Sequence, residues 1–326
     1  MAKGMTLMLM GMCALPLLAG SSSERSCWLR DAASPANSVV YALCEQGGLW
    51  TTTDGGSTWT RHETGATGRA RAMAFLDAKR GFVIGDRGML LATEDGGMEW
   101  QARPIDTKEH LMDITFAGES GWIVGYQGVI LHSTDGGRTW TKQKAGTTQT
   151  LETIFLLDAN HGWVTGWAGT ILRTSDGGQT WEKISAAAAS WSLTSVYFRD
   201  TKNGWMVGFA GQILRSRDGG ATWQTETSPV KSWLTAVEFD GSNRGWIAYD
   251  DGLLVSEDGG DTWKTVPVGG RFFLAKLLQV NDSMWAMGQS VMLKSDAMKW
   301  SRIESLVPGG TVPPASNTAP TRPTMP

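Results

Sequence analysis

The chain of 326 residues carries 29 Lys and Arg against 32 Asp and Glu, a formal charge of −3, with 41 glycines, 17 tryptophans and 3 cysteines. That balance, with no basic run, argues against nucleic acid as a partner. The four histidines, His62, His110, His132 and His161, are scattered without metal-ligand spacing, so neither a metal nor a cofactor is expected.

At the N-terminus, Lys3 precedes an apolar run from Met5 to Leu18 and then Ala19-Gly-Ser-Ser-Ser23. This is the layout of a secretory signal peptide over residues 1–21, and the apolar run is short for spanning a bilayer. Export to the periplasm, or to the lumenal side of a membrane and peripheral to it, is the expectation. Cys27 and Cys44 then fall in the first and second strands of the first repeat. In an oxidising compartment they read as a disulfide, the alternative being two buried thiols.

From residue 22 to 306 the chain repeats itself. Thr52-Thr-Asp-Gly-Gly-Ser-Thr-Trp59 recurs with closing tryptophans at 59, 100, 140, 181, 223 and 263, and a worn copy ends at Trp300. The period of 40–42 residues signals a repeat architecture. Within the third repeat, Leu111–Phe116, Gly121–Gly125, Val129–Ser133 and Trp140–Lys144 read as four short strands. Four strands per repeat and seven repeats predict an all-β, seven-bladed propeller of antiparallel blades, with the Asp-Gly-Gly turn between third and fourth strands. The carboxylates Asp54, Asp95, Asp135, Asp176, Asp218 and Asp258 are assigned to folding their own turns, not to catalysis. The glycines supply positive φ, and the tryptophan packs inward.

A second phrase, Gly121-Trp-Ile-Val-Gly125 and its copies, accounts for five further tryptophans as packing residues. Only Trp28, Trp50, Trp167, Trp191 and Trp233 remain for recognition. Loops joining second and third strands gather at one mouth of the ring and bring Asp86-Arg87, Tyr126, Trp167, Phe209 and Asp250-Asp251 there. Tyr126, Trp167 and Phe209 on three adjacent blades form a candidate aromatic platform, or else a plug that caps the channel. Loops leading into the first strands share that face and carry Arg69, Arg71 and Trp233. Arg69 and Arg71, with Arg87, suit an acidic partner segment, or else form an ordinary solvated rim. Residues 307–326 hold six of the eleven prolines and are expected to be a disordered tail.

In order, the composite is Leu-x-x-Ile/Val-x-Phe, Gly-Trp-x-Val-Gly, x-x-Gly-x-Ile-Leu and Thr/Ser-x-Asp-Gly-Gly-x-Thr-Trp. It runs complete from Leu193 to Trp223 and again over 111–140. It closely resembles the photosystem II stability and assembly factor family of exported propellers with Asp-box (BNR) repeats. The resemblance implies a non-enzymatic scaffold, monomeric, that holds protein subunits of a membrane complex during assembly. Sialidases also carry Asp-boxes, so the alternative is an envelope protein that binds or cleaves glycans. The four tyrosines and Arg103-Pro-Ile105 do not reproduce a sialidase site. A glycosidase carboxylate pair would have to come from Asp86, Asp250 and Asp251. No catalytic residue is assigned.

Overall fold

A computed structural model describes residues 27–186, 191–289, 291–296 and 299–303. The expected leader and tail lie outside these residues. The described chain folds into seven four-stranded antiparallel sheets, each in sequence order, arranged as a seven-bladed propeller. Blade 1 comprises Leu29–Ala36, Val39–Cys44, Gly48–Thr52 and Thr60–Glu63. Blade 7 comprises Leu274–Val280, Ser283–Gly288, Val291–Asp296 and Lys299–Arg302.

The first strand of every blade lies innermost, beside the first strands of its neighbours, and that of blade 7 meets that of blade 1. The second strands hold no exposed residue because both of their faces are covered. Gly204–Gly208, for example, has no exposed residue. The tryptophans of the Gly-Trp phrase, Trp122, Trp163, Trp205, Trp246 and Trp285, are the largest fully buried side chains. Each contributes on the order of 3 kcal/mol of burial.

The Asp-box turns fold as the sequence predicts. In blade 1, the Thr58 N–H donates to Asp54 Oδ1 at 2.9 Å and its hydroxyl to Oδ2 at 2.6 Å. The Thr52 hydroxyl donates to Oδ1 at 2.7 Å. The same set recurs at Asp135, Asp176, Asp218 and Asp258. In blade 2, Glu99 replaces the threonine, and Asp95 receives the backbone N–H groups of Met98 and Glu99 instead. The hydrogen bonds from Thr139 and Thr180 hold Asp135 and Asp176 down to about 2, so each carboxylate is spent on its turn.

The second glycine of each box has a further role: it lets the turn rest on the preceding blade. A Cβ on Gly178 would stand 2.7 Å from the Trp122 indole, and one on Gly56 2.7 Å from Trp285. The second contact joins blade 1 to blade 7. The ring therefore closes by the same mortar that joins successive blades, together with a Trp28–Gln289 bridge and a Lys276–Asp31 ion pair of 2.8 Å. Cys27 and Cys44 are disulfide-bonded, with Cα atoms 5.4 Å apart. Cys27 lies two residues ahead of the first strand, not within it.

Candidate functional site

The two faces of the ring differ. Asp-box turns share one face with the turns between first and second strands, as the Gly136 N–H to Glu119 carbonyl bond illustrates. The opposite face collects the turns between second and third strands and the loops leading into first strands. Tyr126 N–H donates to the His110 carbonyl, Trp167 N–H to Thr150 and Phe209 N–H to Ser192. The predicted sharing of this mouth is thus present. The turns Asp86–Gly88, Tyr126–Gly128, Trp167–Gly169 and Phe209–Gly211 are single 3₁₀ turns whose middle residues, Arg87, Gln127, Ala168 and Ala210, have φ of 51–58°.

Every blade carries a one-residue bulge near the start of its first strand, where register against the second strand slips. The skipped residues are Arg30, Arg71, Met112, Glu152, Thr194, Thr235 and Ala275. Bulges re-aim side chains, and within the ring of seven skipped residues Arg71 reaches Met112 of the next blade while Arg30, Arg71 and Glu152 act on one another electrostatically. Blades 1, 2 and 4 place charged groups in this ring, and blades 5 to 7 place small, uncharged ones.

The charged half is internally paired. Arg71 Nε donates to Asp86 Oδ1 at 2.6 Å, and its guanidinium lies 5.9 Å from the Tyr126 ring centroid. His110 Nδ1 sits 2.9 Å from the same carboxylate. Burial works against ionisation of Asp86, but the Arg71 bond and charge, with His110, hold its carboxyl below the ordinary value. Burial pushes the Glu152 carboxyl up, against the Trp167 indole N–H that it accepts and the charges of Arg30 and Arg71. The same burial lowers the Arg30 guanidinium.

One level deeper, Asp31, Asp113, Glu238 and Lys276 surround the channel. Asp31 accepts the Met73 N–H at 2.8 Å from blade 2, and Asp113 accepts the Ile154 N–H at 2.9 Å from blade 4. These carboxylates tie neighbouring blades together. A cavity of about 230 Å³ lies here, lined by Asp113, Thr153, Ser195, Glu238 and Lys276 among others. Burial lifts Asp113 to about 6 and Glu238 to about 7, each opposed by Lys276. Burial disfavours the Lys276 ammonium, yet Asp31, Asp113 and Glu238 keep it above its ordinary value.

Two expectations need correction. Arg69 and Arg71 do not make a free basic patch. Arg71 is inside the mouth with Asp86, while exposed Arg69 lies 3.4 Å from Glu45. Arg87 is exposed at its turn. Nor do Tyr126, Trp167 and Phe209 make one platform. Tyr126 and Trp167 meet at 6.1 Å, while Phe209 stacks on Trp233 at 4.8 Å and 13°. Trp233 continues to Phe273 at 5.4 Å, and Phe273 to Trp28 at 5.6 Å. An aromatic arc therefore runs over blades 5, 6, 7 and 1, next to the uncharged half of the bulge ring. Asp251 is engaged by Arg271 at 2.5 Å, and Asp250 is exposed.

Sequence reasoning missed Arg30, Asp31, Asp113, Glu152, Glu238 and Lys276. The available signal was a charge near the start of an otherwise apolar strand, as in Leu151-Glu-Thr-Ile154 and Leu274-Ala-Lys-Leu277.

Comparison with known proteins adds to this geometry. No curated protein matches the chain. Among solved structures, YCF48 bound to D1 peptide is 22% identical, with 73% of this chain and 82% of that one covered and a TM-score of 0.61. YCF48 from Cyanidioschyzon merolae is 18% identical, with 82% and 95% covered and a TM-score of 0.70. A streptogramin B lyase, 12% identical over 86% and 95%, gives 0.73. At such identities these likenesses establish the propeller alone. The family model is more specific: it matches residues 63–148 and 188–275, more than half of the chain and repeats on both sides of the ring. With that match and its Asp-box blades, the chain belongs to the photosynthesis system II assembly factor YCF48 family.

Proposed function

We propose that this chain is a non-enzymatic, exported assembly factor that holds a polypeptide segment of a membrane-complex subunit across the mouth of its ring. The observation that carries this reading is the family match over both halves of the propeller. A relative of the same fold has been solved with a D1 peptide, which makes a D1-type segment the natural first probe. The mouth suits an extended peptide: aromatic faces on one half offer apolar contact, and Arg69 and Arg87 on the rim offer charge. The joined Cys27–Cys44 pair supports export, because disulfides persist in oxidising compartments. Against a glycosidase reading, Asp86 and Asp251 are each tied to a guanidinium and so are poorly placed to act as acid and base across a sugar.

The test is anisotropy of a fluorescent D1 peptide titrated with the protein, alongside crosslinked affinity capture from native membranes. Saturable binding that weakens by about tenfold in Trp167→Ala or Trp233→Ala is the expected result. Binding that ignores both substitutions, or capture of no membrane-complex subunit, would overturn the reading.

A further inference from the structure

The last described residue, Ile303, packs, as Cys27 does, against the buried cluster shared by blades 7, 1 and 2, and its N–H donates to the Met292 carbonyl at 2.9 Å. The last strand runs toward the mouth, so the chain leaves the ring there, between blades 7 and 1. Trp28, one end of the aromatic arc, lies at this seam. From it the arc passes through Phe273 and Trp233 to Phe209 in three steps of 5.6, 5.4 and 4.8 Å. Trp28, Trp233 and Phe209 are half-buried, and Phe273 fills in behind them.

Residues 304–326 follow Ile303. They hold six prolines, at 308, 313, 314, 320, 323 and 326, and only two charged residues, Glu304 and Arg322. Proline-rich segments favour the polyproline II helix, which docks its ring faces on aromatic-lined grooves at a small entropic cost.

We propose that the segment Val307–Pro314 docks on the Trp28–Phe273–Trp233–Phe209 arc and competes there with the partner peptide. The reach is ample: at ~3.1 Å per residue, about six residues in polyproline II span the arc. Tethering raises the effective concentration of so short a tail to the millimolar range, so weak stacking suffices to populate the docked state. The uncharged residues of the adjoining ring, Thr194, Thr235 and Ala275, match the uncharged segment Val307–Pro314 better than the Arg-carboxylate half does. The competition element of this inference rests on the proposed peptide-binding function, but docking itself does not.

The experiment uses the full chain with the photocrosslinker p-benzoylphenylalanine in place of Ala315, and maps adducts by mass spectrometry. Adducts on peptides containing Trp28, Phe209, Trp233 or Phe273 are expected, with a yield independent of protein concentration. Replacing Pro308, Pro313 and Pro314 with Gly, which leaves the ring intact, should cut that yield by about fivefold, because glycine abandons the polyproline II bias. Adducts scattered over the ring, adducts that grow with concentration and so mark a second copy, or a yield indifferent to the prolines would overturn the inference. Adding D1 peptide separates the two readings. Lost arc adducts support competition. Arc adducts that persist while the peptide binds keep the docked tail but sink the competition. Peptide binding without any arc adducts removes the inference and leaves the proposed function standing.

Discussion

Gly55 and Gly56 are neighbours in one Asp-box turn, both in the left-handed region at φ of 69° and 94°, yet they face different surroundings. A Cβ on Gly55 meets nothing within 4 Å, whereas one on Gly56 stands 2.7 Å from Trp285 across the seam between blades 1 and 7. Gly55→Ala should therefore cost only the left-handed strain of an L-residue, about 1 kcal/mol. Gly56→Ala carries the same strain plus overpacking against a fully buried indole, about 1–3 kcal/mol more. Guanidinium unfolding followed by tryptophan fluorescence should show a larger fall in midpoint for Gly56→Ala at unchanged slope. Trp285→Phe in the Gly56→Ala background should recover part of the difference, as a coupled pair does in a double-mutant cycle. Equal losses from the two alanines, or no recovery with Trp285→Phe, would refute the idea that this glycine seats one blade on the next.

Three further outcomes follow from the same geometry. Cys27→Ser with Cys44→Ser removes a bridge spanning 17 residues, so unfolding in denaturant should report a loss of about 3 kcal/mol, equal to that produced by reductant on the parent protein. Glu238 is held near 7 in the folded chain against an ordinary 4.5, so the unfolded chain releases a proton in that window that the folded chain retains. Stability should fall as pH rises from about 4.5 to 7, with Asp113 contributing over the lower part, and Glu238→Gln should flatten the fall. Equal pH slopes for the parent and the variant would sink that account. Arg71→Ala leaves half-buried Asp86 without its guanidinium, at a cost of about 1–3 kcal/mol in thermal or chemical unfolding. Arg71→Lys should recover only part of it, since a lysine cannot hold the carboxylate and lie flat against Tyr126 together.

The ring was legible in the sequence because its signals are local and repeated. Each Asp-box encodes its own turn: Thr58 binds Asp54 four residues away, with no help from elsewhere in the chain. The Gly-Trp phrase likewise marks a strand buried on both faces. The mouth was legible only in outline. Loop position could be inferred from strand order, which brought Tyr126, Trp167, Phe209, Arg69 and Arg71 to one face. Which of them touch could not, because pairing there joins residues well apart in sequence, some within a blade and some between blades. Phe209 turns to Trp233, 24 residues on, and Arg71 is claimed by Asp86. The channel charges were hidden for another reason. A one-residue bulge breaks the alternation that would have announced Glu152 or Lys276 as an inward-facing residue.

Each blade is a single uninterrupted stretch of chain, and the seam between the last and the first uses the same glycine-on-indole seat as several of the other joints. Among the described residues, no blade is completed by a strand borrowed from the far end of the chain. Pulling the two ends apart therefore loads that one non-covalent joint directly, and mechanical opening should begin there. In evolutionary terms, a whole blade can be duplicated, lost or moved from one end of the gene to the other without unmaking any sheet. The number seven is set by how wedge-shaped units fill a circle, not by a clasp that counts them.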